Sequence, residues 1–300
     1  MIYNPRNIER IARSVASEIE DEISKAGVFF RIFFRCKEAK SLNGKINSLT
    51  DTGEIKYDGK IKFLRDIIGI RVNLYFVDDL TIVTNYIKEK YRSRFIEETI
   101  DQNKATEFKP TRINIIYSLP NEYQAEFREV VLDTRIDAVF ELQLRTVFSE
   151  GWHEVEHDFR YKCSNDWLLY PDLSRTFNGI LASLETHEWS TIQMFERLSY
   201  SHYKSGDISA MLRTKLRIRF TDFKLSKELQ NIIESEEGVL KELFKLDRNN
   251  VVMFLLVNRI GIPSNLENIV YLINYFFIKN DAISAITPDE LTSDFIKYSK

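Results

Sequence analysis

Glu141, Gln143 and Arg145 occupy every second position of the stretch Ile136 to Lys162, with Leu142 and Leu144 between them and Phe140 just before. A period of two is that of a β-strand, so the three polar side chains share one face and the apolar ones the other. After Thr146 the period turns helical: Phe148, Trp152, Val155 and Phe159 form one apolar stripe, opposite Glu150, His153, Glu154, His157 and Tyr161. A strand bearing an acid, an amide and a guanidinium that runs into such a helix gathers acid, base and phosphate-binding groups at one strand end. Those groups suit phosphoryl transfer, in which acids hold Mg²⁺, cations neutralise phosphate oxygens and little covalent work falls to the protein.

Further groups of the same kind stand upstream. Arg35, Lys37, Ser41 and Lys45 lie within eleven residues, and the last three are four apart, the spacing of one helical face. Asp66 stands at the entrance of the strand Arg65 to Leu74, which also carries Arg71. For any one of these residues, solvated surface is the ordinary alternative. A second pattern competes: His153-Glu154-Val155-Glu156-His157 has the H-E-x-x-H spacing of a zinc hydrolase, for which Glu185, His187 and Glu188 are the nearest downstream third ligands.

The elements that position these groups follow from periodicity. Asn4-Pro5 opens a helix to about Lys25, Val28 to Phe34 reads as a strand, Ser41 to Ile46 as a short helix, and Asp51 to Asp58 as a loop or small hairpin. The strand Arg65 to Leu74 buries Ile68, Ile70, Val72 and Leu74; a helix follows through Leu80 to Tyr91, then strands at Arg112 to Ser118 and Phe127 to Leu132. Strands mixed with helices, without regular βαβ repetition, predict an α+β domain over residues 1–163. Beyond Ser164 the patterns are helical, at Leu173 to Leu184, Trp189 to Tyr203, Ser226 to Glu234, Val239 to Leu246, Leu266 to Ile278 and after Thr287-Pro288, which predicts a mainly helical domain over 164–300. Its exception is Arg213 to Phe220, with a base at every second position: a wholly basic face if a strand, with Arg213 and Arg217 still neighbours if a helix.

The 300 residues are 44% apolar, enough for packed cores, and the net charge of −3 excludes wholesale wrapping of nucleic acid while leaving room for a local basic site. The two cysteines, Cys36 and Cys163, have neither metal-ligand spacing nor a disulfide framework, which favours a reducing compartment; cytoplasm is the expectation. No apolar leader opens the chain, and the longest apolar run, Val251 to Val257, falls far short of the roughly 20 residues that span a bilayer.

In their order along the chain these segments resemble the synthetase domain of the RelA/SpoT family, the alarmone pyrophosphokinases. Its R-x-K element, S-[IL]-x-x-K, [KR]-D-[IL]-[IL]-G-[IVL]-R strand, E-[IVL]-Q-[IVL]-R-T strand and W-x-x-x-E-H-x-x-x-Y-K helix stand here as Arg35-Cys36-Lys37, Ser41 to Lys45, Arg65 to Arg71, Glu141 to Thr146 and Trp152 to Lys162. The resemblance covers about residues 10 to 162 and implies a nucleotidyltransferase-like mixed sheet flanked by helices. It implies ATP as donor, bound by Arg35, Lys37, Ser41, Lys45 and Arg65; Mg²⁺ on Asp66 and Glu141; and Asp66, Arg71, Glu141 and Gln143 as the catalytic set. Lys109, Arg112, Asn114, Arg145, Glu150, His157, Tyr161 and Lys162 are then expected around the acceptor.

One motif departs. Where the family has a G-Y-x-S-x-H loop whose tyrosine stacks on the acceptor guanine, this chain reads Lys109-Pro110-Thr111-Arg112-Ile113-Asn114, with neither ring nor histidine. Because some small relatives are toxins that modify the 3′ end of tRNA, RNA joins free nucleotides as an expected acceptor, with the Arg213 strip to hold its backbone. A homo-oligomer is compatible with the resemblance. A nucleotide-binding sensor that has lost catalysis is the reading from another class.

Overall fold

The computed structural model describes residues 5–100, 113–258 and 264–298. It divides into two compact units, residues 1–21 with 30–185, and residues 22–29 with 186–300. No helix among the described residues is long and apolar enough to cross a membrane.

The first unit is built on a five-stranded sheet. In chain order it holds α1 (Pro5–Ser24, to Asp21), β1 (Phe30–Cys36), α2 (Ala39–Ile46), β2 (Ile68–Leu74), α3 (Val77–Lys90), β3 (Phe95–Ile100), β4 (Ile113–Ser118), α4 (Asn121–Val130), β5 (Val139–Thr146), α5 (Val147–Glu156), a π-helical turn His157–Tyr161, α6 (Ser164–Trp167) and the start of α7 (Pro171–Ser205). The strand order is β1-β2-β5-β4-β3, with β2 and β5 parallel and every other pair antiparallel. Ile70 pairs with Leu142, which pairs with Ile115; these side chains are fully buried, as are Val72 and Leu144 in the next row. Against them lie α3, through β2 and β5, and α1, whose Arg13 covers the Phe34 ring.

Two segments differ from the sequence expectation. Phe127 to Leu132 is not a strand: Glu122, Gln124, Ala125 and Glu126 are helix formers, and the helix α4 they start buries Phe127 alone among its residues. The fifth strand is instead β3, an edge strand with Glu97 and Glu98 in its middle, too polar to announce itself.

Helix α5 is inverted relative to ordinary amphipathic packing. An apolar stripe normally turns inward, yet Phe148, Val155 and Phe159 are 40, 47 and 68% exposed. Glu150 faces the sheet and meets Arg71 and Arg145, so electrostatics seats the helix polar side down. Of the stripe, Trp152 alone is buried, its indole donating to the Phe177 carbonyl oxygen at 3.1 Å and its ring stacked on Phe177 with centroids 5.0 Å apart. That contact ties the start of α7 to the first unit, which runs to Glu185 rather than ending at the expected 163.

The second unit holds the rest of α7 with α8 (Ile208–Leu216), α9 (Lys227–Ser235), α10 (Val239–Lys245), α11 (Arg248–Asn258), α12 (Leu266–Ile273), a π-helical turn Asn274–Ile278, α13 (Asp281–Ile286) and α14 (Asp289–Lys297). No breaker separates Leu184 from Trp189, so the two helices expected there are one. The basic strip is not a strand. It is α8 up to Leu216, closed by Arg217 in the left-handed conformation at φ 47° and buried. Beyond it Arg219 extends over the Phe29 ring and donates its amide to the Gly27 carbonyl at 2.7 Å, an approach that the bare, positive-φ Gly27 permits.

Trp152→Ala therefore destabilises the protein by about 3–5 kcal/mol, and Phe159→Ser by no more than about 0.5 kcal/mol, as read by urea unfolding. Comparable losses at both positions would mean that the stripe faces inward.

Candidate functional site

The sheet register sets the site, because residues paired across strands share a face. In one row Arg35 of β1 faces Gly69 of β2, Glu141 of β5 and Ile116 of β4; in the next, Phe33, Arg71, Gln143 and Asn114 line up. Asn73 and Arg145 form a third row. The Arg35 side chain passes over Gly69: a Cβ there would stand 3.4 Å from its Cγ and Nε, in ordinary contact.

α5 closes one side of this face. Arg71 donates from Nε to Gln143 Oε1 at 2.9 Å and from Nη1 to Glu150 at 2.8 Å, and also pairs with Glu154. The other oxygen of Glu150 takes the guanidinium of Arg145 at 2.5 Å, so one carboxylate holds two arginines. Arg145 is 5% exposed and Glu150 12%, where ion pairs are little screened and leaving one charge without its partner is costly. A cavity of about 400 Å³ remains above β1 and β2, walled by Phe33, Arg35, Gly69, Arg71, Asn73 and Glu150. That is the size of a small-ligand pocket. Asn73 is 5% exposed, and its Oδ1 has no hydrogen-bond partner among the described residues.

A second charge cluster sits where β1 ends and β2 begins. The Lys37 amide donates to the Ile67 carbonyl at 2.9 Å, which brings the end of β1 beside Asp66. The ammonium groups of Lys37 and Lys45, the latter carried by α2, each lie 2.5 Å from Asp66 Oδ2, while Oδ1 is buried without a partner. Burial pushes the Asp66 carboxyl upward, but the two ammoniums outweigh it and hold the group below its ordinary value of 3.8. Burial pulls Lys37 down despite Asp66, whereas at Lys45 the carboxylate prevails over burial and the group is raised.

The remaining expected residues are placed as follows. Ser41 is exposed on α2, one turn before Lys45. Arg65 turns from the cluster to Glu97 at 2.8 Å and Asp137 at 3.3 Å. Asn114 faces Gln143, with Oδ1 buried and unpartnered. His157 and Tyr161, stacked at 5.8 Å between centroids, and Lys162, bound to Asp158 at 2.7 Å, follow α5 and do not line the cavity. Lys109 and Arg112 lie outside the described residues. Among the described residues no group of three or more His, Cys, Asp or Glu side chains is gathered to hold a metal, and His153, the first histidine of the H-E-x-x-H pattern, is buried. Sequence reasoning passed over Phe33 and Asn73; their signal is the alternation Phe33, Arg35 on β1 and Gly69, Arg71, Asn73 on β2.

The lowered Asp66 group carries a sign for pH. Its ionised form stabilises the fold fully above the unfolded-chain value, and that contribution is lost as pH falls through the lower folded value. Asp66→Asn therefore lowers Tm by a constant amount between about pH 5 and pH 8, and the gap to wild type narrows below about pH 4. Thermal melts at several pH values check this; a gap that widens on acidification contradicts it.

Residues 34–166 match the family described as a region found in RelA / SpoT proteins. The GTP pyrophosphokinase YwaC of Bacillus subtilis is 28% identical over 131 residues, which are 42% of this chain and 57% of the relative, so the chain spans under three fifths of that relative's length. Among solved structures, small alarmone synthetase 1 of Bacillus subtilis is 15% identical with a TM-score of 0.46, over 63% of this chain and 92% of the other. A GTP pyrophosphokinase family protein of Streptococcus pneumoniae is 19% identical with a TM-score of 0.44, over 62% and 88%. The matched stretch, residues 34–166, holds both charge clusters and the strand and helix that join them, and it is similar to the region found in RelA / SpoT proteins.

Proposed function

We propose that the first unit transfers the β,γ-pyrophosphate of ATP to a ribose hydroxyl of a phosphorylated acceptor. The observation that carries this reading is the Asp66 cluster: two ammoniums converge on one carboxylate oxygen while the other oxygen is buried without a partner. Such a cluster holds two cations ready for phosphate oxygens and keeps an acid ready for a hard cation. Lys37 and Lys45 would exchange Asp66 for the ATP phosphates, with Arg35, Arg71 and Ser41 as further donors, while Arg65 would have to leave Glu97 and Asp137 to join them.

The unpartnered Oδ1 of Asp66 fits Mg²⁺, which binds through one or two carboxylates and completes its shell with phosphate and water. Asp66 and Glu141 would hold it, and it would supply neutralisation of the charge that builds on the phosphates. In the reaction the acceptor hydroxyl oxygen forms a bond to Pβ, the bond from Pβ to the α,β-bridging oxygen breaks, and AMP leaves. Glu141 takes the hydroxyl proton. Gln143 steadies Arg71, and Glu150 fixes the spacing of Arg71 and Arg145. Asn114, Arg145, His157, Tyr161 and Lys162 are assigned to the acceptor.

The acceptor is read as one rich in phosphate. A relative bearing the name GTP pyrophosphokinase supports a guanine nucleotide; the stretch Phe108 to Asn114, with Lys109 and Arg112 in place of a stacking ring, supports RNA as well.

Labelled ATP incubated with the protein and GTP, GDP, ATP or tRNA should release AMP with at least one acceptor, and Glu141→Gln or Asp66→Asn should cut the rate about 100-fold or more. ATP binding without AMP from any acceptor would leave a nucleotide-binding module and refute the enzyme. Lys109→Ala and Arg112→Ala should weaken acceptor use increasingly as salt rises, with ATP binding nearly unchanged. Full activity of both variants at every salt concentration refutes the cationic acceptor loop.

A further inference from the structure

The second unit holds a basic depression that the pyrophosphokinase reading leaves unused. Of the strip at 213–219, burial takes Arg217, the Phe244 ring takes Lys215 and the Phe29 ring takes Arg219. Arg213 alone stays available on α8, and the chain folds back to it. Its guanidinium lies 5.8 Å from the Phe223 ring and donates to the Phe223 carbonyl oxygen at 3.3 Å. Lys224 follows, and Lys227 is the first residue of α9, with Glu228 in the same first turn.

These three cations, with Phe223, Ser209 and Gln230, line an open depression of about 690 Å³ that has no carboxylate in its lining. Of the nearby acids, Asp222 accepts the Lys224 amide at 3.1 Å, Glu267 accepts the amide and hydroxyl of Ser226 at 3.0 and 2.8 Å, and Glu228, beside Lys227 on α9, is not part of the lining. Among the described residues neither lysine has an ion pair, and Phe223 is 52% exposed. Three cations around an exposed ring, with no carboxylate in the lining they share, make this depression locally positive in a chain of net charge −3.

We propose that this depression binds single-stranded nucleic acid, its phosphates on Arg213, Lys224 and Lys227 and one base on the free side of Phe223. Cations that follow a backbone beside an aromatic ring are the recurring composition of such sites. An open trough suits a strand that passes through it better than a free nucleotide, which needs enclosing walls. The assignment is independent of the reaction proposed for the first unit.

The test uses the full chain and a fluorescein-labelled oligouridylate of about a dozen nucleotides, a length within the site sizes of such grooves. Three phosphate contacts to a single strand predict log K falling against log salt with a slope of about −2, contributed by this site. Replacing Arg213, Lys224 and Lys227 together by Gln should reduce the magnitude of the measured slope by that amount. Phe223→Ala should weaken binding roughly 5- to 150-fold, and Phe223→Trp should restore it. Circular dichroism and thermal melts establish that each variant is folded. No binding at low salt, or binding of folded variants equal to wild type, overturns the proposal. Full displacement of the oligomer by ATP at equal phosphate concentration also overturns it, in favour of a mononucleotide site.

Discussion

Arginines and lysines held against a β-sheet need carboxylates, and this requirement shapes the first unit. Arg71 and Arg145 stand on the strand face opposite the apolar core, largely withdrawn from water. A charge so placed without a partner costs several kcal/mol. Glu150 meets both, and Asp66 does the same for Lys37 and Lys45. The Asp66 cluster is one carboxylate shared by two cations and so carries an excess of positive charge, which a polyphosphate would neutralise, whereas at Arg71 and Arg145 a second carboxylate, Glu154, balances the pair.

The seating of α5 is a consequence. Its apolar side would ordinarily go down, but the surface beneath it is charged, and a phenylalanine over Arg71 and Arg145 would leave both guanidiniums desolvated and unpaired. Placing Glu150 and Glu154 inward satisfies them and turns Phe148, Val155 and Phe159 outward. Trp152 offsets part of the lost burial by packing on Phe177, with Arg160 over both rings. The anchoring of the helix and the arrangement of the site are thus one network.

The second unit shows the opposite treatment of charge. Of the basic strip, Arg217 is buried and Lys215 and Arg219 lie over rings, while Arg213 shares a depression with Lys224 and Lys227 that no carboxylate lines. A fold under no further demand would be expected to intersperse acids there, since like charges at close range repel. Acids are within reach in the sequence, at Asp222 and Glu228, yet Asp222 serves the local backbone.

Much of the site was legible from the sequence because strand alternation is local. The two-residue period alone places Glu141, Gln143 and Arg145 on one face and Phe140, Leu142 and Leu144 on the other, and the register sets Arg71 beside that polar set as the motif order implies. In the second unit α7, α9, α10, α12 and α14 were legible for the same reason, their 3.6-residue period being carried by neighbouring residues, whereas α8, α11 and α13 were not. What local pattern could not decide was which face meets what. The α5 stripe, the polar edge strand β3 and the basic strip at Arg213 all depend on partners far away in the chain. Only the folded chain brings Glu150 over Arg71, 79 residues apart, or Lys45 to Asp66, 21 apart. Propensity and period state what an element is; the charges it meets across space decide how it lies.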